Sequence, residues 1–187
     1  MLAFWLDEAT PEDWYKSDPD FDAQITDRFH DLWVAATEGS LGLWLTHASG
    51  TLAYIILTDQ FPRNMFRGQA KAFSTDLLGL AAAKMAIDRN WDMKIAEPAR
   101  QFFYLPLMHS ERLTDQDRAV RLICSRMPET GHNNRDHARA HRAIIRDFGR
   151  FPYRNDALGR RTSPSEQAFL DDGGYMSALR AVQAADT

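Results

Sequence analysis

Phe21, Ile25, Phe29, Leu32, Trp33 and Ala36 follow one another at the i, i+4, i+8, i+11, i+12, i+15 spacing of one helix face, and this period recurs along the chain. Strand signals are nearly missing, with no Asn-Gly turn and no sustained alternation of apolar and polar residues. Such a chain must pack helix on helix, and short connections predict antiparallel hairpins. The expected fold is all-α, about eight to nine helices in a single domain over residues 1–187.

Local punctuation bounds the helices. "SDPD" caps the run that starts near Phe21, and Gly39 ends it. "TLAYIILTDQ" is predicted to stop at Pro62, which lacks an N–H and clashes with the preceding turn. "GQAKAFSTDLLGLAAAKMAID" carries a stripe of Phe73, Leu77, Leu80, Ala81, Lys84 and Ile87, with the Lys84 stem running past its apolar neighbours. A further helix starts near Pro98 and is kinked or ended by Pro106. Thr114 is the expected N-cap of "TDQDRAVRLICSRM", Gly149 closes "NNRDHARAHRAIIRDFG", and Ser163, Pro164 and Glu166 form a capping box. The segment 172–187 reads as a short last helix and a frayed end.

Charge is unevenly spread. Residues 1–38 hold ten acids against Lys16 and Arg28, a balance of −8, whereas residues 118–161 hold eleven arginines against four acids, a balance of +7. The total is −4 and no nucleic-acid motif is recognisable, which disfavours a nucleic-acid partner. No run approaches the roughly 20 apolar residues of a membrane span, so no membrane partner is expected. The opening "MLAFWLDEATPED" lacks a basic lead-in and is expected not to be a signal peptide. Cys124 is the single cysteine, which excludes an internal disulfide, fits a cytoplasmic location and reads as a core residue beside Val120, Ile123 and Met127.

Two echoing phrases, "DQFPRN" at 59–64 and "GRFPYRN" at 149–155, supply most of the candidate site. Asp59 shares the apolar face of Leu52, Ile55 and Ile56, and an inward carboxylate needs partners. Arg63, Arg67, Arg150 and Arg154 suit that task, because a guanidinium grips a carboxylate by two parallel hydrogen bonds. Two readings stay open: a salt-bridge network that fixes the loop after a helix, or arginines that bind an anionic ligand. At 100° per residue, Arg135, Arg139, Arg142 and Arg146 share one face of their helix, with His137 and His141 roughly opposite. The His-xxx-His spacing would suit a metal, but the glutamate of a metalloprotease helix is missing after His137, so neither metal nor cofactor is expected. His109, Ser110 and Glu111 offer a base, a hydroxyl and a carboxylate near Pro106.

Three phrases carry a family resemblance: "LAYIILTDQFPRNMFRGQAKAFSTD", "FFYLPLMHSERLTDQDRAV" and "HRAIIRDFGRFPYRNDALGRRTSPSEQAFL". With the opening "FWLDEA" and "WYKSDPDFDAQI", the chain resembles the bacterial domain-of-unknown-function 924 family over nearly its whole length. The resemblance implies a tetratricopeptide-like α-α superhelix and no established activity. It carries over Asp59, Gln60, Arg63, Asn64 and Arg67 from the first phrase, His109, Ser110 and Glu111 from the second, and His141, Arg150, Arg154, Asn155 and Arg160 from the third. Tyr153 departs from the family phrase, which often reads His there, and Thr58 stands where an aliphatic residue is more usual.

Together these readings predict a polar pocket that binds a small anionic molecule. Asp59, Arg63, Asn64, Arg67, Glu111, Arg150, Arg154 and Asn155 would line it, with Tyr104 and Phe61 as apolar walls. His109 or His141 would serve as the acid–base group if it is an enzyme. The alternative is a tetratricopeptide-like module that receives an acidic peptide on a concave or arginine-rich surface. Oligomeric state is left open.

Overall fold

The computed structural model describes residues 1–185, and all regular structure among them is helical. Nine α-helices occur among the described residues: α1 (Pro19–Thr37), α2 (Ala48–Ile55), α3 (Phe61–Met65), α4 (Asp76–Asp88), α5 (Leu105–His109), α6 (Leu113–Arg126), α7 (His132–Phe148), α8 (Pro164–Asp171) and α9 (Gly174–Ala185). Short 3-10 and π turns lie between several of them. The chain divides into two compact units, Met1–Phe103 and Tyr104–Thr187.

The first unit is built around α2 and the π turn Ile56–Gln60 that continues it. Thr51 through Gln60 are all buried, as expected of a helix apolar on every side. An aromatic cluster packs beside it, with Trp5 edge-on to Phe61 at 5.2 Å, Phe29 tilted against Phe61 at 5.0 Å and Trp14 edge-on to Phe102 at 5.0 Å. Offset and edge-on contacts of this kind suit the ring quadrupoles. Asp18 caps α1 by accepting from the N–H groups of Asp20 and Phe21, with Pro19 in the first turn.

Pro62 does not end the helical path. The π turn lets Phe61 N–H bond back to Ile56, and Pro62 then occupies the first turn of α3, where its missing N–H costs little. The carbonyl of Thr58, which a residue 62 amide would otherwise satisfy, accepts from the Thr75 hydroxyl at 2.6 Å. The Thr58 hydroxyl turns back onto the Tyr54 carbonyl at 2.7 Å.

The buried face of α4 also differs from the expected stripe. Leu77 is 72% exposed and Ala81 is exposed, while Gly79, Ala82, Ala83 and Ala86 are buried with Leu80 and Ile87. Small residues let α4 approach closely. A Cβ at Gly79 would stand 3.1 Å from the Asp59 Cβ and 3.2 Å from the Thr58 Oγ1. Close approach of this face outweighs the apolar area that Leu77 would bury.

In the second unit α6 packs on α7, α7 on α9 and α8 on α9. Ile144, Ile145 and Phe151 form a core cluster joined by Phe148, Phe169, Tyr175 and Ala178. Gly149 ends α7 in the left-handed conformation at φ 70°, and Ser163 with Glu166 completes the capping box of α8. Pro106 opens α5 after the 3-10 turn Ala99–Phe103, so the path is re-started there. Thr114 is inside α6, whose N-cap is Arg112 with no side-chain cap. Cys124 is exposed, which corrects the core reading. It lies about 100° around the helix from Ile123, outside the buried stripe of Ala119, Val120, Leu122 and Ile123. The expected last helix is α9, and the final two residues of the expected frayed end lie outside the described residues.

Candidate functional site

Asp59, Arg63, Asn64 and Arg67 belong to the first unit; Tyr104, His109, Glu111, His141, Arg150, Arg154 and Asn155 belong to the second. Asp59 is fully buried in the π turn. Gln60 Nε2 donates to its Oδ2, and Arg63 Nη1 stands 3.6 Å from its Oδ1 while also donating to its carbonyl. The Arg63 fork grips Asp76 at 2.9 and 3.1 Å. Arg67 grips Asp22 through Nε and Nη2, both at 2.8 Å, and Asn64 Nδ2 donates to the same carboxylate at 2.8 Å. These hydrogen bonds to Asp22 hold the Arg67 guanidinium above its ordinary pKa. Phe61 is a buried core ring beside Trp5 and Phe29.

Asp22 and Asp76 were not anticipated as members of this network. Both lie in the first turn of a helix, where acids oppose the positive end of the dipole. That first-turn position is the signal the sequence carries for them. Their arginine partners are set by tertiary packing.

In the second unit the loop after α5 is held by side chains from three directions. Gln116, fully buried on α6, donates through Nε2 to the carbonyls of Leu107, Met108 and Ser110 at 3.4, 2.7 and 2.6 Å. Arg154 Nη1 donates to the His109 carbonyl at 3.1 Å, so the last carbonyls of this short helix, normally without partners, are met. Ser110 Oγ donates to Asp115 at 2.8 Å, which turns the hydroxyl away from any triad role. Tyr104 is fully buried just before α5.

Glu111 accepts the Phe151 N–H at 2.9 Å and both ends of the Arg160 fork at 2.8 and 3.0 Å. Burial alone would push this carboxyl upward; the Arg160 and Phe151 hydrogen bonds, with the charges of Arg160 and Arg154, reverse that and hold it below the usual carboxylate range. Arg150 grips Glu166 through Nε and Nη2, the latter at 2.8 Å, and donates to the Arg161 carbonyl at 2.8 Å. Arg150, joined by the Ser163 N–H, holds Glu166 far below its ordinary value. Asn155 Nδ2 donates to Thr162 at 3.3 Å, while its buried Oδ1 has no hydrogen-bond partner.

His141 is strongly perturbed. Its Nδ1 lies 3.0 Å from the His137 carbonyl, so that nitrogen carries the proton and Nε2 keeps its lone pair. The ring is half-buried and crowded by protein: His109 stands edge-on at 6.3 Å between centroids, Phe151 edge-on at 5.2 Å and Tyr175 tilted at 5.0 Å. Burial first, then the like charges of His109 and Arg154, hold His141 well below the usual histidine range. The Tyr175 hydroxyl and His137 Nδ1 share a hydrogen bond, and burial pushes that phenol upward. Burial lowers His137 too, against the opposing charge of Asp136.

On the other face of α7, Arg135 pairs with Asp136 at 3.3 Å and Arg142 with Asp117 at 3.5 Å. Among the described residues no three His, Cys, Asp or Glu side chains are grouped so as to hold a metal ion. No described helix is long and apolar enough to cross a membrane.

The fold is that of an all-helical protein, and the motif residues gather in polar networks on its helix ends. The chain belongs to the family of bacterial proteins of unknown function (DUF924), whose model matches residues 1–174. It is similar to a protein of unknown function of solved structure from Agrobacterium tumefaciens, with 40% identity over 91% of this chain and 95% of that one, at a TM-score of 0.85. No match was found among curated proteins.

Proposed function

We propose that the second unit binds a small anionic molecule at the cluster of His109, His141 and Arg154. The observation that carries this reading is the convergence of two imidazole rings and one guanidinium. Arg154 is bonded to the carbonyl of His109, and the rings of His109 and His141 stand edge-on at 6.3 Å. A bound anion favours the protonated form of a neighbouring imidazole and so gains a charge-assisted hydrogen bond. With Nδ1 committed to the His137 carbonyl, His141 Nε2 accepts a proton and then donates to the anion. The same lone pair gives the site the acceptor that acid–base chemistry on a bound molecule requires.

The other candidate residues fit a structural task in this reading. Carboxylates of Asp22 and Asp76 engage Arg67 and Arg63, while Glu166 and Glu111 engage Arg150 and Arg160. The arginine face of α7 adds no support for an acidic-peptide partner, since Arg135 and Arg142 already sit on carboxylates. We read the pairing of α6 with α7 as tetratricopeptide-like, and a cytoplasmic location goes with the lone cysteine.

The test is a titration of the histidine ring resonances with inorganic phosphate and with acetate. Either anion should move His141 and raise its pKa, and His141→Gln should abolish the response while the fold persists. Histidine resonances unmoved by both anions overturn the reading.

A further inference from the structure

The His109–His141–Arg154 cluster is bordered by rings. Phe151 and Tyr153 stack at 5.3 Å with 27° between planes, and Tyr153 meets Tyr175 edge-on at 6.1 Å. Tyr175 in turn lies 14° from parallel with His137 at 5.9 Å and tilts against His141 at 5.0 Å. These separations lie within the range in which aromatic pairs attract. The Tyr175–His137 hydrogen bond fixes the middle ring of the wall. Phe151 is fully buried and carries the Arg154 guanidinium over its face at 4.5 Å, whereas Tyr153 is 39% exposed. A run of rings thus borders the cluster and ends on an exposed tyrosine.

Charge limits the ligand from the other side. Arg154 is the permanent cation of the cluster, and Glu111 binds the amide of Phe151 nearby. Glu111 already takes the Arg160 fork, so Arg154, Arg160 and Glu111 together carry one net positive charge, which a dianion such as phosphate exceeds. A monoanion is better matched.

We infer that the natural ligand is a monocarboxylate with a planar aromatic or conjugated body, its carboxylate at His141 and Arg154 and its flat face against Tyr153 and Tyr175. This rests on the anion reading above and adds the ligand's class. Ring-on-ring contact adds to the electrostatic attraction and does not depend on salt.

The experiment compares benzoate, acetate and inorganic phosphate on the full chain, by calorimetry and by histidine and tyrosine resonances. Benzoate should bind up to about tenfold more tightly than acetate, the upper end of the worth of an aromatic pair, and should move both His141 and Tyr153. Tyr153→Ala, at an exposed position, should reduce benzoate to the level of acetate, and Tyr153→Phe should retain the difference. Equal binding of benzoate and acetate with His141 still responding overturns this inference and leaves the anion reading standing. Phosphate binding more tightly than benzoate also overturns it. A His141 indifferent to all three removes both.

Discussion

The Thr75 hydroxyl donates to the Thr58 carbonyl across 2.6 Å, at the carbonyl that Pro62 leaves without its helical amide. Thr75 is buried and also accepts from Trp33 Nε1 at 3.3 Å, so one side chain joins α1, the π turn and the approach to α4. The π turn that carries Asp59 is thus held by a residue 17 positions further along the chain.

Replacing Thr75 by valine keeps the shape and removes the donor. A buried carbonyl left unsatisfied costs about 1–3 kcal/mol, so denaturant unfolding of Thr75→Val should show a loss of that size. Thr75→Ser should recover most of it.

Arg63 lies within α3 and Arg67 just beyond its end, four residues on, and the two should differ sharply. Asp59 is fully buried, and removing the guanidinium beside it should cost about 3 kcal/mol. Arg67 is 45% exposed on its side chain, so Arg67→Ala should cost under about 1 kcal/mol. Equal losses in urea melts of the two variants would show that Asp59 does not depend on Arg63.

Gly131 closes the turn between α6 and α7. A Cβ there would meet the Met127 carbonyl oxygen at 2.4 Å and the Met127 Cβ at 2.7 Å, which forces backbone to move. Gly131→Ala should destabilise by about 1–3 kcal/mol, read as a lowered Tm. The usual helical advantage of alanine should not appear.

Glu111 and Glu166 are both held below the ordinary carboxylate range in the folded chain. The unfolded chain then binds more protons in acid, so stability falls as pH drops below about 5. Glu166→Gln should flatten part of this slope in unfolding curves collected across the acid range. His141 gives a second component. Its folded pKa is depressed, so its contribution is complete above about 6.5 and declines as pH falls below that value. His141→Gln should remove its share of this upper component and leave that of His137, which burial also lowers.

Much of the architecture is written locally. The 3.6-residue period, the Asp18 cap, the Ser163–Glu166 box, the Gly149 ending and the inward carboxylate of Asp59 all depend on residues within a few turns of one another. Neighbouring side chains and backbone sterics are enough to set such features. The face on which α4 packs is not local, because Gly79 matters only through its approach to Asp59.

Of the candidate site, the sequence determined which polar residues have to be partnered. Tertiary structure decided with whom: Arg63 with Asp76 across 13 positions, Arg154 with the His109 carbonyl across 45, Arg160 with Glu111 across 49. The roles of Gln116, Tyr175 and Asp22 arise in the same way. A hydrogen bond needs its atoms within about 3 Å, and for residues so far apart in the chain only the packing of whole helices brings them there.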